Sequence, residues 1–320
     1  MIKIWNFIKL SLFFIVALFL ISCATSRFNS NDPYKGMETV NYSGNNIYLF
    51  SNGNSEKLII IIESGGWDSA LGIKKDDKWI SLKFASIIVS ELSDKYTVII
   101  PEKLKRQPGM MYDEDMNDRA NYTAENLLND YIKSINGFLS SRNYSSILLI
   151  GNEEGASLLP LIYERMEKKE NVIAMVSMGF GGLSLYETYE IFSKCDNIFP
   201  DEYIKAYNEM LNSYNPSNKT FPDAYAVDYY VYTQRWLKSF IHIRPYDHYK
   251  NIDIPILFIH GNKNLNIAVD STMYIQENLP KKPFKYMYYK WGVQPQNKRE
   301  LSVFIEEVTD WILAQYTVNR

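Results

Sequence analysis

Short apolar runs recur along the chain, and most lack any alternation of polar and apolar positions. They lie at residues 46–50, 58–62, 96–100, 146–150, 171–178, 254–260 and 284–289. The clearest, at 58–62, is Leu-Ile-Ile-Ile-Ile, as expected of a strand covered on both faces. Between these runs, residues 82–92, 124–139, 155–168, 269–279 and 299–316 carry apolar residues at helical spacing. Strands alternating with helices predict an α/β architecture: a mostly parallel central sheet with helices on both faces. The rhythm breaks at about 184–251, which is helical in flavour, aromatic, and interrupted by Pro200, Pro216, Pro222 and Pro245. That stretch is expected to form a helical cap inserted between two sheet strands, so that residues 46–320 make one domain with an insertion. No internal repeat or low-complexity block is present.

The N-terminus adds a different signal. Lys3 and Lys9 form a charged region, and residues 10–21 are an apolar stretch of signal-peptide length, too short for a comfortable membrane span. The stretch ends in Leu20-Ile21-Ser22-Cys23, which resembles the lipobox of bacterial lipoproteins. The resemblance implies removal of residues 1–22, lipidation of Cys23, and an exported protein held at the membrane by its lipid anchor. A plain secretory peptide and an uncleaved anchor are the alternatives. The polar stretch that follows, residues 23–45, is expected to be a tether.

Composition narrows the classes. With 46% apolar and 22% charged residues, the mature part can bury a sizeable core. The net charge of −3 becomes −5 once Lys3 and Lys9 are removed, and no basic stripe exists, so nucleic acid is not an expected partner. The 25 tyrosines admit two readings: a surface for sugars, peptides or proteins, or the codon usage of a low-GC genome. After cleavage Cys195 is the remaining cysteine, so no intrachain disulfide is available and a structural thiol is expected.

Three motifs carry the chemistry. Gly151-Asn152-Glu153-Glu154-Gly155 follows the run 146–150 and precedes a predicted helix, which is the frame of a nucleophile elbow with glutamate in place of serine. Gly65 and Gly66 follow the run 58–62, and His260-Gly261-Asn262-Lys263-Asn264 closes the run 254–260. In this order the motifs resemble the α/β-hydrolase fold over residues 46–316. The resemblance implies that the Gly65–Gly66 loop and the Glu154 N–H would form an oxyanion site. It also implies that the serine, acid and histidine of a catalytic triad correspond to Glu153, Asn264 and Val293. None of these three supports the usual chemistry, which needs a hydroxyl to attack, an imidazole to take its proton and a carboxylate to orient that imidazole.

The chain holds only His242, His248 and His260, none beyond residue 260. His260 is expected to pack in the core, and the other two to sit in the cap. Related enzymes use aspartate at the elbow to form an alkyl-ester intermediate, but that route still needs a histidine to activate water. Ser64 and Ser157 are nearby hydroxyls without an evident base. The glutamates Glu63, Glu153 and Glu154 with His260 have no metal-binding signature, so neither metal nor cofactor is expected. Glu153 is expected either to occupy the oxyanion site or pair with Lys103, Lys105 or Arg106, or else to face solvent. Buried near Glu63 and Glu154, it would have a raised pKa. The expected function is therefore a membrane-anchored binding or accessory protein with an unknown small-molecule or protein partner. The alternatives are an esterase, lipase or peptidase-like hydrolase with non-standard catalytic residues, and a protein-interaction module using the tyrosine-rich cap.

Overall fold

The run at 58–62 sends Leu58, Ile60 and Ile62 to one side of a sheet and Ile59 and Ile61 to the other, and all five are fully buried. Each such side chain stabilises the fold by about 1.5–3 kcal/mol relative to exposure. A computed structural model describes residues 32, 34–51, 55–63, 69–75, 78–103, 108, 122–194, 234–264, 267–292 and 298–318. Its elements in chain order are β1 (Glu38–Tyr42), β2 (Asn45–Phe50), β3 (Lys57–Ile62), β4 (Gly72–Lys75), β5 (Lys78–Leu82), α1 (Ala85–Leu92) and β6 (Thr97–Pro101). Then come α2 (Ala124–Ser140), β7 (Ser146–Asn152), α3 (Glu154–Arg165), β8 (Val172–Met178), α4 (Leu185–Ser193), α5 (Gln234–Phe240) and α6 (Tyr246–Tyr249). The chain closes with β9 (Ile256–Gly261), α7 (Asp270–Asn278), β10 (Phe284–Tyr289) and α8 (Lys298–Val318).

Eight strands form one sheet in the order β1-β2-β6-β3-β7-β8-β9-β10. The pairs from β6 through β10 are parallel, and β1 and β2 add an antiparallel edge. Helices α2 and α3 cover one face through Tyr131, Phe138 and Leu159. Helices α1 and α8 cover the other through Ile88, Phe304 and Ile312. This is the α/β-hydrolase fold that the motifs imply. Among the described residues no helix is long and apolar enough to cross a membrane.

The sheet takes in residues that the sequence pattern left in the tether. Strand β1 pairs with β2 from Glu38↔Leu49 to Tyr42↔Asn45, across Ser43 and Gly44, whose φ angles are 55° and 85°. Two positive φ values at the centre of a two-residue hairpin match the right-handed twist of the strands. The strand Glu-Thr-Val-Asn-Tyr lies at the sheet edge, mostly exposed, and so has no aliphatic run to reveal it. Tyr34 is buried too, its hydroxyl donating to Leu71 O at 2.9 Å. The hairpin β4–β5 is a second addition, and it absorbs Leu82, where a helix was expected to start. Helix α1 begins at Ala85, without a local side-chain cap; a distant carboxylate, Glu63, accepts the Ala85 N–H instead.

Residues 1–31, with Cys23, lie outside the described residues, as do Ser64, Gly65, Gly66, Lys105, Arg106, Cys195, Val293 and cap residues 195–233. The described stems of the insertion are stapled together. Arg244 meets the Glu187 carboxylate at 3.0 and 3.1 Å, the Tyr246 N–H donates to Gly182 O, and the Tyr186 N–H donates to Ile241 O.

Candidate functional site

Strand β7 runs straight into helix α3 through one residue, and the turn is too tight for ordinary side chains around it. A Cβ on Gly151 would lie 2.6 Å from Ala156 Cα, and one on Gly155 would overlap the Ile62 carbonyl. The residue at the apex, Glu153, holds φ 48° and ψ −112°. For a residue with a side chain this conformation costs on the order of 1–3 kcal/mol. Surrounding bonds enforce it: the Glu153 N–H donates to Met178 O at 2.8 Å, and Glu153 O accepts from the Ala156 and Ser157 N–H groups at 2.9 and 3.1 Å. The geometry is that of a strained strand-to-helix elbow, with a carboxylate where the side chain projects at the helix N-terminus.

Glu153 is partly exposed. Burial pushes the carboxyl above its ordinary value; Lys83 pulls it down, Glu63 pushes it further up, and Lys103 pulls it down again. Of the two glutamates expected to repel it, Glu63 acts and Glu154 is not among the causes. Of the bases expected near it, Lys103 is within electrostatic reach and fully buried. Lys83 was not anticipated, because it stands between a strand and a helix in no recognisable motif. The side chain makes no capping bond to α3, and no hydrogen bond among the described residues reaches its carboxylate.

Two other buried carboxylates organise the strand ends. Glu63, at the end of β3, accepts the Ala85 N–H and the Asn152 amide at 3.0 Å. It thereby ties α1 to the residue before the elbow. Glu102, after β6, accepts from the Tyr48 hydroxyl at 2.7 Å, the Ser69 hydroxyl at 2.5 Å, the Ala70 N–H at 2.9 Å and the Lys103 N–H at 2.8 Å. Together these bonds hold Glu63, Ser69 and Ala70 in place. Sequence reasoning missed Glu102; a glutamate directly after a buried strand stopped by Pro101 was the available signal.

The loop after β9 approaches the elbow. A Cβ built on Gly179 would sit 3.5 Å from Glu153 Cγ and 3.8 Å from Asn264 Nδ2, so these side chains flank one point. Asn264 is buried, and its Oδ1 accepts the Ile267 N–H at 3.2 Å, which uses the side chain to shape its own turn. The Lys263 N–H donates to Trp291 O at 2.9 Å and the Asn262 N–H to Tyr289 O at 2.8 Å, so the segment leading to Val293 packs against the segment leading to Asn264.

All three histidines are described, and His248 and His260 are bonded elsewhere. His260 is fully buried; its Nε2 donates to the Ile267 carbonyl at 3.0 Å, and its Nδ1 accepts from Thr272 Oγ1 at 2.9 Å. Burial lowers its pKa to about 4, with the Ile267 contact opposing, so the ring is a neutral brace between β9 and α7. His248 meets Glu164 at 2.8 Å, ten residues along α3 from its start and thus roughly 15 Å from the elbow. His242 is exposed, its ring 5.8 Å from that of Tyr186. No histidine is among the groups whose charge acts on Glu153. The Ser157 hydroxyl donates to Glu154 O at 2.7 Å, within its own helix. Among the described residues no group of three or more His, Cys, Asp or Glu is placed to hold a metal ion.

No family model matches the chain, and no curated protein matches its sequence. Solved structures do match. Est1E from Butyrivibrio proteoclasticus superposes with a TM-score of 0.56 at 15% identity, over 88% of this chain and 100% of that one. A Pyrococcus furiosus esterase gives 0.55 at 12% identity, over 91% and 94%. The meta-cleavage product hydrolase from Pseudomonas fluorescens IP01 gives 0.52 at 16%, over 87% and 97%. At such identities the likeness concerns the backbone, and fold leaves chemistry open. The chain thus has the α/β-hydrolase fold, with a glutamate at its elbow.

Proposed function

We propose that this chain is a lipid-anchored binding or accessory protein built on a hydrolase scaffold whose triad has been lost. The observation that carries the reading is the elbow itself: strain is retained at Glu153, while His248 and His260 are bonded elsewhere and no histidine is among the groups whose charge acts on Glu153. Acyl transfer on this fold needs a proton taken from a nucleophile and returned to a leaving group. Glu153 offers an acceptor with no histidine behind it, and Asn264 is neutral. On this reading export and membrane attachment come from residues 1–23, with lipid on Cys23, and the elbow pocket binds a ligand that it does not convert.

The test is chemical. A fluorophosphonate probe is expected to leave the protein unlabelled, and p-nitrophenyl esters and aminoacyl anilides are expected to remain intact. The competing reading, an active hydrolase, draws on the esterases and hydrolase among the structural neighbours. It requires turnover that disappears in Glu153→Ala.

A further inference from the structure

The chain after residue 31 is fastened to one place on the domain, the β4–β5 hairpin and the turn before it. Asp32 Oδ1 accepts from the Trp79 indole N–H and from the Tyr34 N–H, each at 2.9 Å. The Tyr34 ring stands edge-on to that of Trp79, centroids 4.8 Å apart, and its hydroxyl donates to Leu71 O at 2.9 Å. Tyr34 is 3% exposed, so burial of an aromatic side chain backs these bonds. Leu71 is held in turn, because its neighbours Ser69 and Ala70 are bonded to Glu102. The point where the tether enters the domain is therefore set by the fold.

Cys23 and Asp32 are nine positions apart, and nine residues span at most about 32 Å in any conformation. A domain of roughly 290 residues has a radius of gyration of about 19 Å, so it is about 50 Å across. A lipid on Cys23 thus cannot let the far side of the domain rest on the bilayer while the hairpin points away. The hairpin's surface suits the interface. Trp79 is partly exposed with Lys74 Nζ 5.9 Å from its ring centroid, and Lys35, Lys74, Lys75 and Lys78 are exposed. Aromatic rings and lysines with apolar stems are favoured where membrane meets water. In the sequence Asp32, Glu38, Asp76 and Asp77 match these four lysines in number, so the tether rather than net charge selects the face.

We propose that the β4–β5 hairpin is the membrane-facing surface of the domain, held against the lipid headgroups by the short link to Cys23. The inference rests on the reading of residues 1–23 as a lipid anchor and adds the face that the anchor presents. It puts β10 and α7 away from the bilayer. The hairpin adjoins β6 through Glu102, and five strand spacings, about 24 Å, separate β6 from β10.

The experiment uses the full, lipid-bearing chain reconstituted in phosphatidylcholine vesicles that carry a headgroup dye. Cys195→Ser removes the remaining thiol, and a donor dye is placed on Lys75→Cys in the hairpin or on Glu277→Cys in α7, both exposed positions. Energy transfer is expected to place the hairpin label nearer the headgroups by about 20 Å or more. A Gly-Ser spacer of about 20 residues between Cys23 and Asp32 adds about 65 Å of reach and is expected to abolish the difference, with an unchanged circular dichroism spectrum. Asp32→Ala, which removes the acceptor for Trp79 and Tyr34, is expected to diminish it. Added phosphatidylglycerol is expected to leave the order of the two labels unchanged. Equal transfer from the two sites, the reverse order, an order that survives the spacer, or one that needs phosphatidylglycerol overturns the proposed face alone. Wild-type protein that stays in the aqueous phase of Triton X-114 removes the lipid-anchor reading itself, and the face with it.

Discussion

Replacing Glu153 with glycine is expected to stabilise the protein, because the side chain now forces a conformation that only glycine adopts freely. At φ 48° and ψ −112° the strain is on the order of 1–3 kcal/mol. Glycine gives back about 0.5–1 kcal/mol through the greater freedom of its unfolded chain. Near neutral pH the substitution also removes a partly desolvated charge, so the net gain is about 1–2 kcal/mol. The pH dependence separates strain from charge. Burial first, then Glu63, raises the folded-state pKa of Glu153 above its ordinary 4.5, against Lys83 and Lys103. A carboxyl raised on folding favours the folded state most at acid pH, and that contribution is lost as pH rises from about 4.5 through the raised value. Urea melts between pH 4 and 8 should therefore show the advantage of Glu153→Gly growing across that window and levelling off above it. Destabilisation by 1 kcal/mol or more at pH 8 would refute the strained elbow; a pH-independent advantage would refute the raised titration of its carboxyl.

Other perturbations address the scaffold and the anchor. Glu102→Gln leaves donors from Tyr48, Ser69, Ala70 and Lys103 facing a poorer acceptor, so urea melts are expected to show a loss of about 2–4 kcal/mol. Tyr48→Phe, which removes one of those donors, is expected to cost about 1 kcal/mol. His260, buried and lowered from 6.5 to about 4, favours the folded state above pH 6.5. That contribution is lost as the pH falls towards 4 and amounts to roughly 3 kcal/mol over the window; His260→Phe melts should lack this acid-side slope. Cys23→Ser is expected to move the protein from the detergent phase to the aqueous phase in Triton X-114 partition, since the lipid is the proposed attachment.

The centre of the sheet was legible because its strands are buried: runs such as 58–62 and 146–150 announce themselves by composition alone. Strand β1 was not, since an edge strand with exposed Glu38 and Thr39 carries no apolar signature. The start of α1 escaped for another reason. Its cap comes from Glu63, some twenty residues away in the chain, and propensity sees only neighbours. At the site, the glycine frame of the elbow was readable because close packing against Ile62 and Ala156 leaves no other residue a place there. The carboxylate scaffolding of Glu63 and Glu102, and the approach of Lys83, depend on long-range contacts that no local spacing records. The role of Asn264 shows the same limit: its position in the motif was evident, its hydrogen bond to the Ile267 N–H was not.

The central claim is that the elbow holds a carboxylate with no imidazole to serve it, and initial-rate measurement on p-nitrophenyl acetate and butyrate tests it most directly. The account predicts that wild-type protein and Glu153→Ala hydrolyse both esters at the rate of buffer. Hydrolysis by the wild type that vanishes in Glu153→Ala would contradict it.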